Sequence, residues 1–381
     1  MNVPKLRFKE FNDEYKKVKF GDIVNYQKGF AFKSKDYKNS GVRIIRISDT
    51  TNNSIKNDNA IYINKEEAVK HKNVELITDD IMISSVGSKP PLYDSMVGKV
   101  VLIPEFINGS LLNQNAIRFR TKQDNQKYIY NYLKQRKYTR FIENIMRGNA
   151  NQRSITLEDL FEFELNIPSL NEQNKVSKLL SLLNKKIELQ SKKIEDLKLF
   201  KKGLSKYIFN LLTKYEKIKL GNACDIVTGK LDANAMVENG KYRFYTCAKE
   251  YYMIDKYAYD TEALLISGNG AYVGYIHYYN GKFNAYQRTY ILHNFKYNVQ
   301  YIKCYLDEYL SEKINLEKKD GNTPYIVLST LSDMIIKIPS PFEQLKISKI
   351  INICNCKLEI EKNKLIKLKE LKKGLMQNMF V

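Results

Sequence analysis

The residues of this chain best suited to chemistry are hydrogen-bonding side chains in short polar clusters, rather than acids, bases or nucleophiles. In the first half they are Arg43 and Arg46, the loop Ser84-Ser85-Val86-Gly87-Ser88-Lys89, Asn113-Gln114-Asn115, and Arg147-Gly148-Asn149-Ala150-Asn151-Gln152-Arg153. In the second half they are Lys230, Ser267 and Asn269 in a Ser-Gly loop, Tyr272, Tyr286-Gln287-Arg288, and Asp320-Gly321-Asn322-Thr323-Pro324-Tyr325. Asn and Gln match the adenine edge in a major groove and Arg the guanine edge, so these loops carry the side chains of base readout. Each also reads as an ordinary solvated turn. The pairs Tyr251-Tyr252 and Tyr278-Tyr279 fit half-buried strands better than stacking platforms.

Catalytic patterns are absent from the sequence. There is no G-x-x-x-x-G-K-[ST] loop, no G-x-G-x-x-G opening a helix and no H-E-x-x-H. His71, His277 and His293 lack metal-ligand spacing, and no pair of carboxylates stands out as an acid/base couple. Cys354 and Cys356 are two residues apart in a helical segment, where side chains at that spacing do not face each other. The expectation is a chain that binds no metal or cofactor and is not an enzyme by itself.

The net charge of +21 points first to nucleic acid and second to an anionic membrane surface. Richness in Lys, Asn and Ile also fits compositional drift in an AT-rich genome. No run of about 18 apolar residues exists, and the first twenty residues lack the apolar stretch of a secretory signal. Five cysteines, an odd number in a chain long enough to fold without bridges, suit a reducing cytoplasm.

The elements that must position the loops announce themselves by duplication. Ile167-Pro168-Ser169 with Glu172-Gln173 returns as Ile338-Pro339-Ser340 with Glu343-Gln344, and Lys201-Lys202-Gly203-Leu204 returns as Lys372-Lys373-Gly374-Leu375, always 171 residues later. Ser169/Glu172 and Ser340/Glu343 have the spacing of a capping box at the start of a helix. Downstream, Leu180, Leu183, Ile187, Ile194, Leu197 and Leu204 recur as Ile351, Cys354, Leu358, Leu365, Leu368 and Leu375, the three-and-four spacing of a coiled-coil seam. Gln190 and Glu361, then Lys201 and Lys372, interrupt it at equivalent places.

Neither helix can bury its seam alone, so the two copies are expected to pack on each other. An antiparallel pairing would give pseudo-two-fold symmetry. From Leu180 to Leu204 the seam is roughly 36 Å at about 1.5 Å per residue, near the ~34 Å turn of B-DNA. The expected organisation is an α+β chain with a globular module at 1–166, a helix in 167–215, a second module at 216–337 and a helix in 338–381. The two helical segments hold +12 of the net charge, while 216–337 is almost neutral. The modules are weakly related: Lys19-Phe20-Gly21 with Gly29 parallels Lys219-Leu220-Gly221 with Gly229, and Asp80 to Gly87 parallels Ala263 to Gly270.

Taken together, the doubled Ile-Pro-Ser…Glu-Gln segment, the heptad helix closing on Lys-Lys-Gly-Leu, the Gly21/Gly29-type module openings and the Gly148-Asn149 and Gly321-Asn322 segments resemble the specificity subunit of type I restriction-modification enzymes. The resemblance covers essentially the whole chain. One departure is that Ser205-Lys206-Tyr207 stands where the second copy has Met376-Gln377. The resemblance implies two target recognition domains reading the halves of an asymmetric, interrupted double-stranded DNA site. The helices would be spacer and platform for two modification (methyltransferase) subunits, in a cytoplasmic complex with two restriction (motor-nuclease) subunits. S-adenosylmethionine, ATP and Mg²⁺ would belong to those partners. The alternative is a coiled-coil scaffold carrying two protein-binding modules.

Overall fold

The computed structural model describes residues 3–51, 54–89, 95–149, 152–317 and 325–381. The chain forms two compact units, Met1–Leu189 with Leu365–Val381, and Gln190–Lys364. The boundaries fall inside the two long helices, Leu170–Asn210 and Pro341–Asn378. Each unit therefore holds one α+β module, the start of the helix that follows it, and the end of the other helix. No helix among the described residues is long and apolar enough to cross a membrane.

In the first unit a four-stranded sheet runs in the order Val24–Lys28, Ala116–Thr121, Ile81–Ser84, Val100–Leu102. The strand Ile81–Ser84 is buried on both faces. Ile81 and Ile83 enter a core shared with Tyr128, Tyr132 and Tyr138, while Met82 enters a second core with Ile44, Leu111 and Leu112. Alternation of side chains along a strand lets one strand serve both cores. In the second unit a six-stranded sheet plays the same part. Leu264 and Ile266 pack toward the helix Val299–Glu317, and Ala263 and Leu265 pack on the opposite face with Tyr245 and Phe283.

Both modules close in the same way. Lys16–Lys19 pairs antiparallel with Glu164–Ile167, and Glu216–Lys219 with Ile335–Ile338, in matching register. The repeated Gln then fastens helix to module. Gln173 accepts the Asn125 N–H at 2.9 Å and donates to its own Pro168 carbonyl at 3.0 Å. Gln344 accepts the Asn298 N–H at 3.0 Å and donates to the Pro339 carbonyl at 2.9 Å. Both amides are buried, so every polar group must find such a partner.

The two expected capping boxes part company. At Ser340 the box forms, with the Glu343 N–H donating to the Ser340 hydroxyl at 3.3 Å and the Ser340 N–H donating back to the Glu343 carboxylate at 3.3 Å. At Ser169 it does not. Glu172, 1 % exposed, instead accepts both arms of the Arg7 guanidinium at 3.0 and 2.8 Å and the Tyr15 hydroxyl at 2.9 Å. A buried carboxylate is better served by a bidentate cation than by one backbone N–H.

The seam follows the periodicity. Leu180, Leu183, Ile194, Ile351 and Leu358 are buried, and Ile187, Leu197, Leu204, Cys354, Leu365, Leu368 and Leu375 half-buried. In the first unit the start of the first helix (Val176, Leu180) shares a core with the end of the second (Leu375, Met376) and the residues just beyond it (Met379, Phe380). In the second unit the end of the first helix (Phe209) shares a core with the start of the second (Ile347, Ile351). The helices are therefore antiparallel. Each ends by inserting a phenylalanine among tyrosines. Phe380 stacks on Tyr128 with ring centroids 5.0 Å apart, and Phe209 meets Tyr305 edge-on at 5.3 Å.

Within the second unit the polar interruption of the seam is a contact between repeat equivalents. The Gln190 amide donates to the Glu361 carboxylate at 2.7 Å and to the Glu361 carbonyl at 2.9 Å. Lys193 and Lys364, themselves 171 residues apart, both lie 3.2 Å from the same carboxylate oxygen. Equivalent residues can touch only where the axis relating the two copies passes between them, so Gln190 and Glu361 mark the pseudo-two-fold axis. Hydrogen bonding from Gln190, with Lys193 and Lys364 beside it, pulls the Glu361 carboxyl down to about 2.

Two outcomes follow from this packing. A carboxyl held low in the folded state contributes stability that is present above its ordinary range near 4.5 and lost as pH falls toward about 2. The denaturant midpoint followed by circular dichroism should therefore fall more steeply across that acid window in the native chain than in Glu361→Gln. Identical acid slopes would show that the layer contributes nothing. Phe380→Ala should lower the stability of the first unit by about 3–5 kcal/mol in denaturant titration, the cost of an unfilled aromatic site.

Candidate nucleic-acid interface

Three loops far apart in sequence meet at one place in each module. In the first, the Ser85 N–H and hydroxyl both donate to the Asn115 carbonyl at 2.9 Å, joining 84–88 to 113–115. Ser85 in turn accepts the Ile155 N–H at 3.0 Å, and Gly87 pairs with Arg153, which brings in the hairpin Arg147–Asn149/Gln152–Ser154. In the second, the Gly268 N–H donates to the Arg288 carbonyl at 2.9 Å, and Gly268 accepts the Ile326 N–H at 2.8 Å. Asn269 bridges to Tyr325 in the position that Val86 and Ser154 hold in the first module.

The repeated glycines explain a fourth component. A Cβ on Gly29 would stand 1.9 Å from the Asn113 carbonyl oxygen, and one on Gly229 would stand 2.2 Å from that of Ala285. Backbone meets backbone there, which only glycine permits. The residues that follow, Phe30 and Leu231, bridge to Asn113 and Tyr286. The Gly…Gly spacing at each module opening thus delivers a chain segment to the loop cluster.

Side chains at the cluster divide by what already holds them. Lys89, Gln114, Gln152, Lys230, Arg288 and Tyr325 are exposed, and Asn269 is half-buried. Tyr272 is exposed beneath the Lys249 ammonium, 5.0 Å from its ring centroid. Gln287 donates to Asp232 at 3.0 Å, Ser88 shares a hydrogen bond with Ser95 at 2.6 Å, and Arg153 donates to the Gly148 carbonyl at 2.5 Å. Arg147 is exposed, and its Nη2 alone donates to both carboxylate oxygens of Asp159, at 2.8 and 3.1 Å. Asn149 contributes backbone to the hairpin, and Asn151, Asn322 and Thr323 lie outside the described residues.

Several expected readers are framework instead. Ser84 is 1 % exposed, donating to the Met96 carbonyl and accepting the Lys99 N–H. Ser267 is fully buried, and its hydroxyl has no hydrogen-bond partner among the described residues. Asn113 is buried under the Gly29 turn. Arg46 clasps the buried Asp49 through Nε and Nη2 and also donates to the Asn59 carbonyl, so its fork is engaged. Small hydroxyls and short-range ion pairs let polar residues sit inside such loops without facing solvent.

One arginine escaped the sequence reading. Arg243 lies between the rings of Tyr251 and Tyr279, 4.3 and 4.4 Å from their centroids, and donates to the Tyr245 hydroxyl at 3.3 Å. The signal was available, because Arg43 precedes it by the same 200 residues that separate Gly29 from Gly229. Arg43 donates to Asn57 at 2.7 Å and to the Lys56 carbonyl. No group of three or more metal-ligating side chains gathers among the described residues.

Known proteins share this architecture. The chain is 34 % identical over 163 residues to the type I restriction enzyme EcoDI specificity subunit of Escherichia coli, an alignment covering 43 % of this chain and 36 % of that protein. It is 26 % identical over 216 residues to a putative type I restriction enzyme MjaX specificity subunit of Methanocaldococcus jannaschii, covering 55 % and 48 %. The chain thus spans half or less of the length of these relatives. A crystal structure of a type I restriction-modification S subunit from M. genitalium has the same fold, with a TM-score of 0.69, 19 % identity and coverage of 100 % and 99 %. A structure reported for complex assembly and conformational transition of the type I system gives a TM-score of 0.57 at 16 % identity, covering 97 % and 98 %. The sequence profile of the type I restriction modification DNA specificity domain matches residues 12–199 and 213–370, and the chain belongs to that family.

Proposed function

We propose that this chain is the non-catalytic DNA-specificity subunit of a type I restriction-modification complex, each module reading one half of an interrupted duplex site. The observation that carries this is the loop cluster. The same three loops and the same glycine turn converge in both modules, while the side chains they present differ, as two readers of different sequences require. In this reading adenine methylation resides in a modification subunit using S-adenosylmethionine, and cleavage in a restriction subunit using ATP and Mg²⁺, all in the cytoplasm. The antiparallel helices set the gap between half-sites.

The helices also support a stoichiometry. Leu182 and Leu189 are 59 % and 58 % exposed, and their repeat equivalents Ile353 and Ile360 are 65 % and 52 % exposed. Phe200 and Leu371, another equivalent pair, are 60 % and 53 % exposed. Exposed apolar residues repeated in register suit two copies of one partner, each docking on equivalent residues.

Mapping methylated adenines in DNA from cells that express this chain with a modification subunit should give one split, asymmetric motif. Unmethylated DNA, together with no affinity of the complex for any duplex, would favour the scaffold of protein-binding modules. For docking, Leu182→Asp with Leu189→Asp, or Ile353→Asp with Ile360→Asp, should each leave one modification subunit per chain in sedimentation. The combination should leave none.

A further inference from the structure

We infer that Arg43 and Arg243 are paired phosphate contacts, one on each module, that seat the DNA backbone beside the reading loops. The inference rests on the DNA-reading role proposed above. Both residues occupy one position in the module topology. Arg43 lies in Val42–Ile45 and Arg243 in Tyr242–Tyr245; each strand pairs antiparallel with a following strand and parallel with the strand that runs into the middle reading loop. Two residues beyond each arginine a backbone carbonyl holds the start of that loop: Ile45 accepts the Asn113 N–H at 3.0 Å, and Tyr245 the Tyr286 N–H at 2.9 Å. Each arginine therefore stands two residues along its strand from the carbonyl that holds the equivalent loop.

Their electrostatic settings agree although their neighbours do not. Arg7, Arg46, Arg120 and Arg147 each pair with a carboxylate. Arg43 and Arg243, like Arg118, Arg136, Arg140, Arg153 and Arg288, have none among the described residues, but they alone share one position in the two modules. Arg43 is steadied by an amide and a carbonyl, Arg243 by two tyrosine faces and a hydroxyl, all neutral groups. Both side chains are thus held in place with their positive charge uncompensated, and both are partly open to solvent. A group kept the same in two modules whose reading loops differ suits what two half-sites have in common. Base edges differ between half-sites, whereas phosphates are the same in both.

The test uses the full chain assembled with its modification partner. Binding to a duplex carrying the methylated motif is measured across salt concentrations for the native chain, Arg43→Ala, Arg243→Ala and the matching lysine variants, and methylation sites are mapped for each. The expected result is weaker binding for either alanine variant, with the slope of log affinity on log salt reduced by about 0.9 and the motif unchanged. The lysine variants, which retain a point charge but lose the fork, should restore most of that slope. A motif relaxed at one base position would make the arginine a base reader and overturn the inference. So would an unchanged slope in the alanine variants, or lysine variants as impaired as alanine. If the native complex itself shows no salt-dependent duplex binding, the DNA-reading role fails first, and that result is distinguishable from the others.

Discussion

The structure depends on one constraint: an apolar seam running from Leu180 to Leu204, or from Ile351 to Leu375, cannot be buried whole by the module that precedes it. Beyond its first turns, which the module covers, each helix finds cover on the other copy, running the opposite way, and the larger features follow from that. The pairing makes each unit a composite of one module, the head of one helix and the tail of the other. The aromatic residues Phe209 and Phe380 then anchor the tails in pockets of tyrosine that the local module supplies. The polar layer at Gln190 and Glu361 interrupts the seam where the axis crosses it. A half-buried amide facing a buried carboxylate is satisfied only in this register, because a slip of either helix would leave both without partners.

The unlike residues at that axis have a further physical meaning. Two copies of the second helix would bring two Glu361 carboxylates together, and two copies of the first would bring two Gln190 amides together without a carboxylate for Lys193. Only the mixed pair gives one anion, one amide and two flanking cations. The local chemistry favours one helix of each kind, which is what a single chain supplies.

Much of this was legible in the sequence because period and duplication are physical statements. A three-and-four spacing specifies a buried stripe wherever the helix sits, and a constant offset specifies equivalent surroundings. Reading failed where a distant residue intervened. Nothing near Ser169 reveals that Arg7 will claim Glu172, since that competition is settled across 165 residues of chain. The serines at 84 and 267 looked like loop donors from their Gly-rich surroundings, yet each closes the end of a core strand and is buried there. Arg46 was misjudged more avoidably, for Asp49 three residues on was a visible partner. Arg243 was hidden in a tyrosine-rich strand that reads as core.

The buried Gln173 and Gln344 amides have a consequence for how such chains can change. Each ties its long helix to the module through one main-chain N–H and through a carbonyl of the helix's own leader. The joint therefore asks little of the module's side chains: a capping Asn at the start of one helix and, in the first module, the Asp124 carboxylate, which accepts from the Gln173 amide at 2.8 Å. What lies between the two closing strands can change so long as it keeps the Asn125 and Asn298 caps and the tyrosines Tyr128, Tyr132, Tyr301 and Tyr305 that receive Phe380 and Phe209. A module that keeps these few contacts can be exchanged for another without rebuilding the frame that holds it.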